Sequence, residues 1–185
     1  MRLVSLVELM VCWLAWGYPF IVRAPHRQRR ESVALPWPTL VGLLFECAAI
    51  FLAFAFRLPP GSPPSPARLV AAMLVAPFAP LLAWGAVRHL GRQFRVQAGL
   101  YRDHELVRTG PYAVVRHPIY ASLLAILLGT LLVLTPWPWI PISLALFLVG
   151  TEIRVRAEDG LLASRFGEEF RRYRTRVPAY LPFVR

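Results

Sequence analysis

The stretch GPYAVVRHPIYASLLAILLGTLLVL, residues 110–134, decides how this chain folds. Its second part, 119–134, is an unbroken run of sixteen apolar or small residues, while Pro111, Arg116, His117 and Pro118 crowd its entrance. A run of that kind reads as a helix buried in protein or membrane. Proline is favoured in the first helical turn, so the helix is expected to begin at Pro118, with Arg116 and His117 just before it. Ionisable groups at membrane depth are costly and commonly mark a site. The motif by itself admits two readings: Arg116 and His117 snorkel to lipid headgroups with Tyr120 as an interfacial aromatic, or they form a binding wall in which free backbone N–H groups at the helix start attract the negative part of a ligand.

The rest of the chain supplies the setting. Over 185 residues, 57% are hydrophobic and the mean hydropathy is +0.50, which describes an integral membrane protein. Apolar runs occur at 3–22, 40–56, 69–87, 119–134 and 139–153, predicting an all-α protein with five transmembrane helices. The first run is interrupted by Glu8 and lacks a small-residue cleavage site, so it is read as a helix and not a signal peptide. Pro77 and Pro80 predict a kink in the third span, and the last two spans, joined by TPWPW at 135–139, predict a tight hairpin with Trp137 and Trp139 in an aromatic belt. Beyond 153, Leu162, Phe166, Phe170 and Tyr173 recur at helical spacing, predicting an amphipathic helix that leaves the membrane and covers the polar loop 88–117.

Charge fixes the orientation. The net charge of +11 is carried by residues 23–31, 88–117 and 154–185, which five spans place on one side, whereas the connections at 58–66 and 135–139 carry none. Positive flanks face the cytoplasm, so the N-terminus is expected outside and the C-terminus inside. Basic segments beside helices attract anionic lipid, which accounts for the charge without nucleic acid. All 21 basic residues are arginine, a weak pointer to a GC-rich bacterial source and an inner-membrane location. Cys12 and Cys47 lie within predicted spans as apolar fillers, and His26, His89, His104 and His117 lack metal-ligand spacing. Phosphate-binding, zinc-protease and serine-hydrolase motifs are missing. Arg154 and Glu158, four residues apart, read either as a helix ion pair or as part of a site.

Two segments carry a resemblance. HELVRTGPYAVVRHPIY at 104–120 and RVRAEDGLLASRFGEEFRRYRTRVPAYLPF at 154–183, separated by a helical hairpin, resemble the isoprenylcysteine carboxyl methyltransferase family, integral membrane enzymes that use S-adenosylmethionine. The resemblance covers about half of the chain and divides a single membrane domain, 1–185, into three N-terminal helices (1–87) and a methyltransferase-like region (88–185). It implies that Gln97, His104, Leu106, Val107 and Tyr112 contact the cofactor. His117, Pro118, Ile119 and Tyr120 would line the same pocket, Glu158 would bind the cofactor from the C-terminal side, and Arg154 would orient the substrate. Ala121 stands where many relatives have glycine, and Asp159 replaces the second glutamate of a usual pair. The implied function is methyl transfer to a lipophilic acceptor at the cytoplasmic interface, with membrane lipids as partners and no metal. Membrane sterol reductases, which use NADPH, are similar over the same region, and a non-catalytic lipid- or protein-binding role is the remaining alternative.

Overall fold

The computed structural model describes residues 2–22, 37–59, 61–91 and 105–182. Among them the chain forms seven α-helices and no β-strand: α1 (Arg2–Val22), α2 (Trp37–Ala55), α3 (Pro66–Val75), α4 (Phe78–Leu90), α5 (Pro118–Leu134), α6 (Trp139–Phe166) and α7 (Glu168–Arg176), with a 3-10 turn at Gly110–Ala113 before α5. Three helical segments are long and apolar enough to cross a membrane: α1, α2 and the 25-residue stretch Pro66–Leu90 that α3 and α4 make together. The last is interrupted at its first proline, between Val75 and Phe78. Pro77 ends the hydrogen-bond ladder after Ala76, whereas Pro80 falls in the first turn of α4, where its missing N–H has no intrahelical partner to lose. Ser65 caps α3, its hydroxyl accepting from the Arg68 N–H at 3.4 Å.

α5 is apolar but has 17 residues, about 25 Å of helix, and it is central instead of lipid-facing. One of its sides packs on α1, α3 and α4 through Leu9, Cys12, Leu69, Ala79, Ile126 and Val133. Its other side joins α2 and α6 through Ala49, Ala53, Leu127, Leu131 and Phe147. Hydrogen bonds from Trp13 Nε1 to Thr130 Oγ1 and from Trp16 Nε1 to Ser122 Oγ, both 3.0 Å, tie α1 to α5. Arg68, buried at the opposite end of the bundle, donates from Nη2 to the carbonyls of Leu131 (2.9 Å) and Thr135 (2.6 Å), with its guanidinium 4.8 Å from the Trp137 ring.

Two expectations change. The connection between α5 and α6 is short, but α6 lies chiefly along α2, and its contact with α5 is slight. The cause is steric: Gly42 and Gly150 let the α2 and α6 backbones meet so closely that a Cβ on Gly150 would stand 2.5 Å from the Gly42 carbonyl oxygen. The second change concerns the end of the last span. The helix does not stop near 153; α6 runs for 28 residues from Trp139 to Phe166 and breaks only at Gly167, whose φ of +53 favours glycine. The expected amphipathic face is therefore divided, with Leu162 and Phe166 on α6, and Phe170 and Tyr173 buried on α7.

Candidate functional site

The polar cluster forms where the entrance of α5 meets the C-terminal half of α6. Segment 177–181 returns along that entrance, and the Arg116 and His117 N–H groups donate to the carbonyls of Pro178 (2.9 Å) and Ala179 (2.8 Å). Those two donors are therefore engaged within the chain, Pro118 has none to offer, and the N–H groups of Tyr120 and Ala121 return to the His117 carbonyl at 3.1 and 3.2 Å.

Asp159 is the hub. Its Oδ2 accepts from Arg116 Nη2 and its Oδ1 from His117 Nε2, both at 2.9 Å, while Arg174 Nε stands 3.6 Å away. His117 Nδ1 lies 3.4 Å from Glu158 Oε2, and Tyr120 donates its hydroxyl to Glu158 Oε1. An imidazole with a carboxylate at each nitrogen is held as the two-donor imidazolium. Burial opposes that charge, but the hydrogen bonds and negative charge of Asp159 and Glu158 overcome it and push the His117 pKa up to about 8. Burial likewise pushes both carboxylates up, and the His117 cation outweighs it, with Arg116 assisting at Asp159, so both are held below their ordinary range. Burial raises the Tyr173 pKa to about 12, and its hydroxyl donates to the Tyr112 carbonyl at 2.5 Å, tying α7 to the 3-10 turn. Arg116 also donates from Nη1 to the carbonyls of Arg174 (3.3 Å) and Val177.

Arg154 does not pair with Glu158 along the helix. It reaches across to α2, where its Nη1 donates to Glu46 Oε2 at 2.6 Å, and Thr151 Oγ1 donates to Glu46 Oε1 at 3.0 Å. The guanidinium carbon sits 4.9 Å from the centre of the Tyr120 ring, so Arg154, Tyr120, Glu158 and His117 form one continuous array. Pro118 and Ile119 lie at its edge in the first turn of α5. Tyr112 is linked to it through Tyr173 and α7, while Leu106 and Val107 sit half-buried in the segment leading to the turn, without a polar contact to the array. Gln97 and His104 lie outside the described residues.

An apolar groove of about 400 Å³ adjoins the array, lined among others by Val75, Leu82, Ala121, Ala125, Leu128 and Leu181. Tyr180 lies in its wall and packs with Tyr120 and Val155, which connects the groove to the ring beneath Arg154. Ala121, the departure from glycine, is part of this wall. No group of three metal-ligating side chains occurs among the described residues.

Sequence reasoning missed Glu46 and the roles of Arg116 and Asp159. Glu46 had a signal, as the single acid within the apolar run 40–56. Arg116 and Asp159 are joined across 43 positions, and nothing local announces that pairing.

Comparison with known proteins agrees with the two motifs. Over 84 residues, 45% of this chain and 35% of the relative, the sequence is 36% identical to protein-S-isoprenylcysteine O-methyltransferase of Schizosaccharomyces pombe. Over 102 residues, 54% of this chain and 51% of the relative, it is 32% identical to protein-S-isoprenylcysteine O-methyltransferase B of Arabidopsis thaliana. A cobalt-zinc-cadmium resistance protein, CzcN, of Cupriavidus metallidurans is 39% identical over 82 residues, 44% of this chain and 37% of the relative. The matched stretch thus spans between about a third and a half of the length of these relatives. The sequence profile of the isoprenylcysteine carboxyl methyltransferase family matches residues 70–164, just over half of the chain, from α3 into the far end of α6, and the protein belongs to that family.

Proposed function

We propose that this chain transfers a methyl group from S-adenosylmethionine to a lipophilic acceptor, a carboxylate of the isoprenylcysteine type or a related small lipid, at the cytoplasmic face of a bacterial inner membrane. In this reading α5 and the first half of α6 complete five spans, with the N-terminus outside. Residues 88–185 are the transferring region of a single membrane domain.

The observation that carries the reading is the continuous array from Arg154 through Tyr120 and Glu158 to His117, set beside an apolar groove. The donor set suits a cationic, hydroxyl-rich cofactor: Glu158 is an anion with 24% of its side chain exposed, next to the Tyr120 hydroxyl. Tyr112, Pro118, Ile119, Leu106 and Val107 would line the same pocket, and the family resemblance adds Gln97 and His104. When bound, S-adenosylmethionine supplies an electrophilic methyl on a positively charged sulfur. The chain's own task is then positional, since alignment of reacting groups lowers such a barrier by about 7–11 kcal/mol. His117 is mostly the imidazolium near neutral pH, and in that form it holds Glu158 and Asp159 in place. A carboxylate acceptor needs no base, and the guanidinium of Arg154 orients it through paired N–H donors. The groove has the volume and apolar lining of a small-molecule site and receives the acceptor's hydrocarbon.

The test is to incubate the purified full chain with methyl-labelled S-adenosylmethionine and either N-acetyl-S-farnesylcysteine or a bacterial lipid extract. Label is expected in a base-labile ester of the farnesylcysteine or in one lipid species. Absence of both labelling and calorimetric cofactor binding in the wild type overturns the proposal.

A further inference from the structure

The α2–α6 seam carries more polar chemistry than helix packing needs. Glu46 is almost fully buried, 1% exposed, yet both of its oxygens are engaged from α6, by Thr151 and Arg154. Gly42, one turn earlier on the same face, receives the stem of Arg154: a Cβ there would stand 2.5 Å from Arg154 Cγ. Arg154 Nε is buried without a hydrogen-bond partner, and so is the hydroxyl of Thr39 one further turn along α2. A buried polar atom left without a partner is destabilising, a cost recovered when a polar ligand group engages it.

We infer that Glu46 is a positioning residue for Arg154, and that α2, with Gly42 as the cradle and Glu46 as the anchor, sets where the acceptor's anionic headgroup is held. The inference rests on the proposed role of Arg154 in acceptor binding. The geometry explains why an anchor is needed. A guanidinium has five N–H donors in a fixed fork, and it points two of them at a carboxylate only if the opposite edge is pinned. Glu46 pins the Nη1 edge, the Tyr120 ring fixes the plane, and Gly42 fixes the path of the stem. Glu46 also neutralises Arg154 inside an apolar seam, so the acceptor is held by directed hydrogen bonds and not by net charge. Lysine at 154, a point charge already matched by Glu46, lacks those remaining directed donors. Gly42 and Glu46 precede the stretch the family profile matches, so the headgroup position is set by a helix outside it.

The experiment uses the full chain in detergent, with N-acetyl-S-farnesylcysteine as acceptor probe. Glu46→Gln is expected to raise the probe KM at least tenfold while the calorimetric Kd for S-adenosylmethionine stays within twofold. Glu46→Asp, which keeps the charge, is expected to recover part of the loss. In an Arg154→Ala background Glu46→Gln is expected to change kcat/KM less than twofold, because it acts through Arg154. Thr151→Val, which loosens Glu46 but keeps the ion pair, is expected to raise KM about threefold and serves if Glu46→Gln does not fold. Unchanged KM in the folded variants, a parallel rise in cofactor Kd, or full additivity with Arg154→Ala overturns the inference while leaving wild-type methyl transfer standing. A wild type that neither binds nor methylates the probe overturns the role of Arg154 and this inference with it.

Discussion

Deprotonating His117 should loosen the polar cap at the entrance of α5 between pH 6.5 and pH 8.5. The groups facing the imidazole are Glu158 and Asp159 of α6, with Arg116 and Tyr120 beside it and Arg174 of α7 reaching the same Asp159. The two carboxylates outweigh burial and raise its pKa from 6.5 to about 8. A group whose folded pKa lies above its unfolded value stabilises the folded state fully below the unfolded pKa, and that stabilisation is lost as pH rises through the folded one. The interval from 6.5 to about 8, at about 1.36 kcal/mol per pH unit, corresponds to about 2 kcal/mol. For a chain of this length about 2 kcal/mol lowers Tm by about 4–8 °C. The depressed carboxylates act in the opposite direction: their stabilisation is present above the ordinary carboxylate pKa and lost as pH falls through their lowered values. Stability should therefore be flat from about pH 5 to 6.5 and decline above it. Thermal unfolding in detergent, measured at half-unit steps from pH 5.5 to 9 for wild type and His117→Gln, reads this directly. The wild type should lose its few degrees above pH 6.5, and the variant should start lower and lose nothing over that interval. Equal pH slopes in the two proteins, or an imidazole titration midpoint at or below 6.5, would refute the reasoning.

Two further outcomes follow from the packing. Arg68→Met removes the guanidinium from the last carbonyls of α5 and should cost about 2 kcal/mol of thermal stability with cofactor affinity unchanged; a normal Tm would show that the carbonyls of Leu131 and Thr135 are satisfied otherwise. Gly150→Ala places a Cβ 2.8 Å from Phe45 Cβ and should cost about 1–3 kcal/mol while raising the acceptor KM, since it pushes α2 and Glu46 away from Arg154; unchanged stability and KM would show that the seam yields without consequence.

Hydropathy made most of the helices legible, and one physical rule explains where it failed. Apolar runs locate α1, α2 and α5 to within a few residues, and Pro77 locates the break between α3 and α4. Hydropathy also changes at 153, but the backbone does not: EIRVRAEDGLLASRF keeps good helix formers across the change, so what alters is the surroundings of α6 and not its ladder. The stop is set by Gly167, a conformational signal independent of polarity. In the site, helical spacing within each motif grouped His117 with Tyr120 and Arg154 with Glu158, because such spacing is local information, and the family resemblance brought the two motifs together. The partners that hold those groups come from elsewhere: Glu46 is 108 positions from Arg154, and the carbonyls that occupy the N–H groups of Arg116 and His117 come from Pro178 and Ala179. Pairings over such separations leave no periodic trace in a single sequence.

The position of the array follows from the shortness of α5. Its 17 residues are enclosed by the other helices, so the charges that complement its ends have to come from the protein. The negative C-terminal end meets the Arg68 guanidinium, and the positive N-terminal end meets the carboxylates of Glu158 and Asp159, the arrangement the helix dipole favours. His117 and Arg116, cations at the unfavourable end, are tolerated because those carboxylates outweigh the dipole. The helix start thus concentrates two cations and two anions at the boundary between apolar helices and a polar cap. Of the four, Glu158 retains the greatest exposure, and it is linked to Arg154 through Tyr120. Charges required to end a short buried helix are therefore also the charges that the proposed reading uses, and the partly exposed carboxylate of Glu158 is the point at which a structural necessity becomes available for binding.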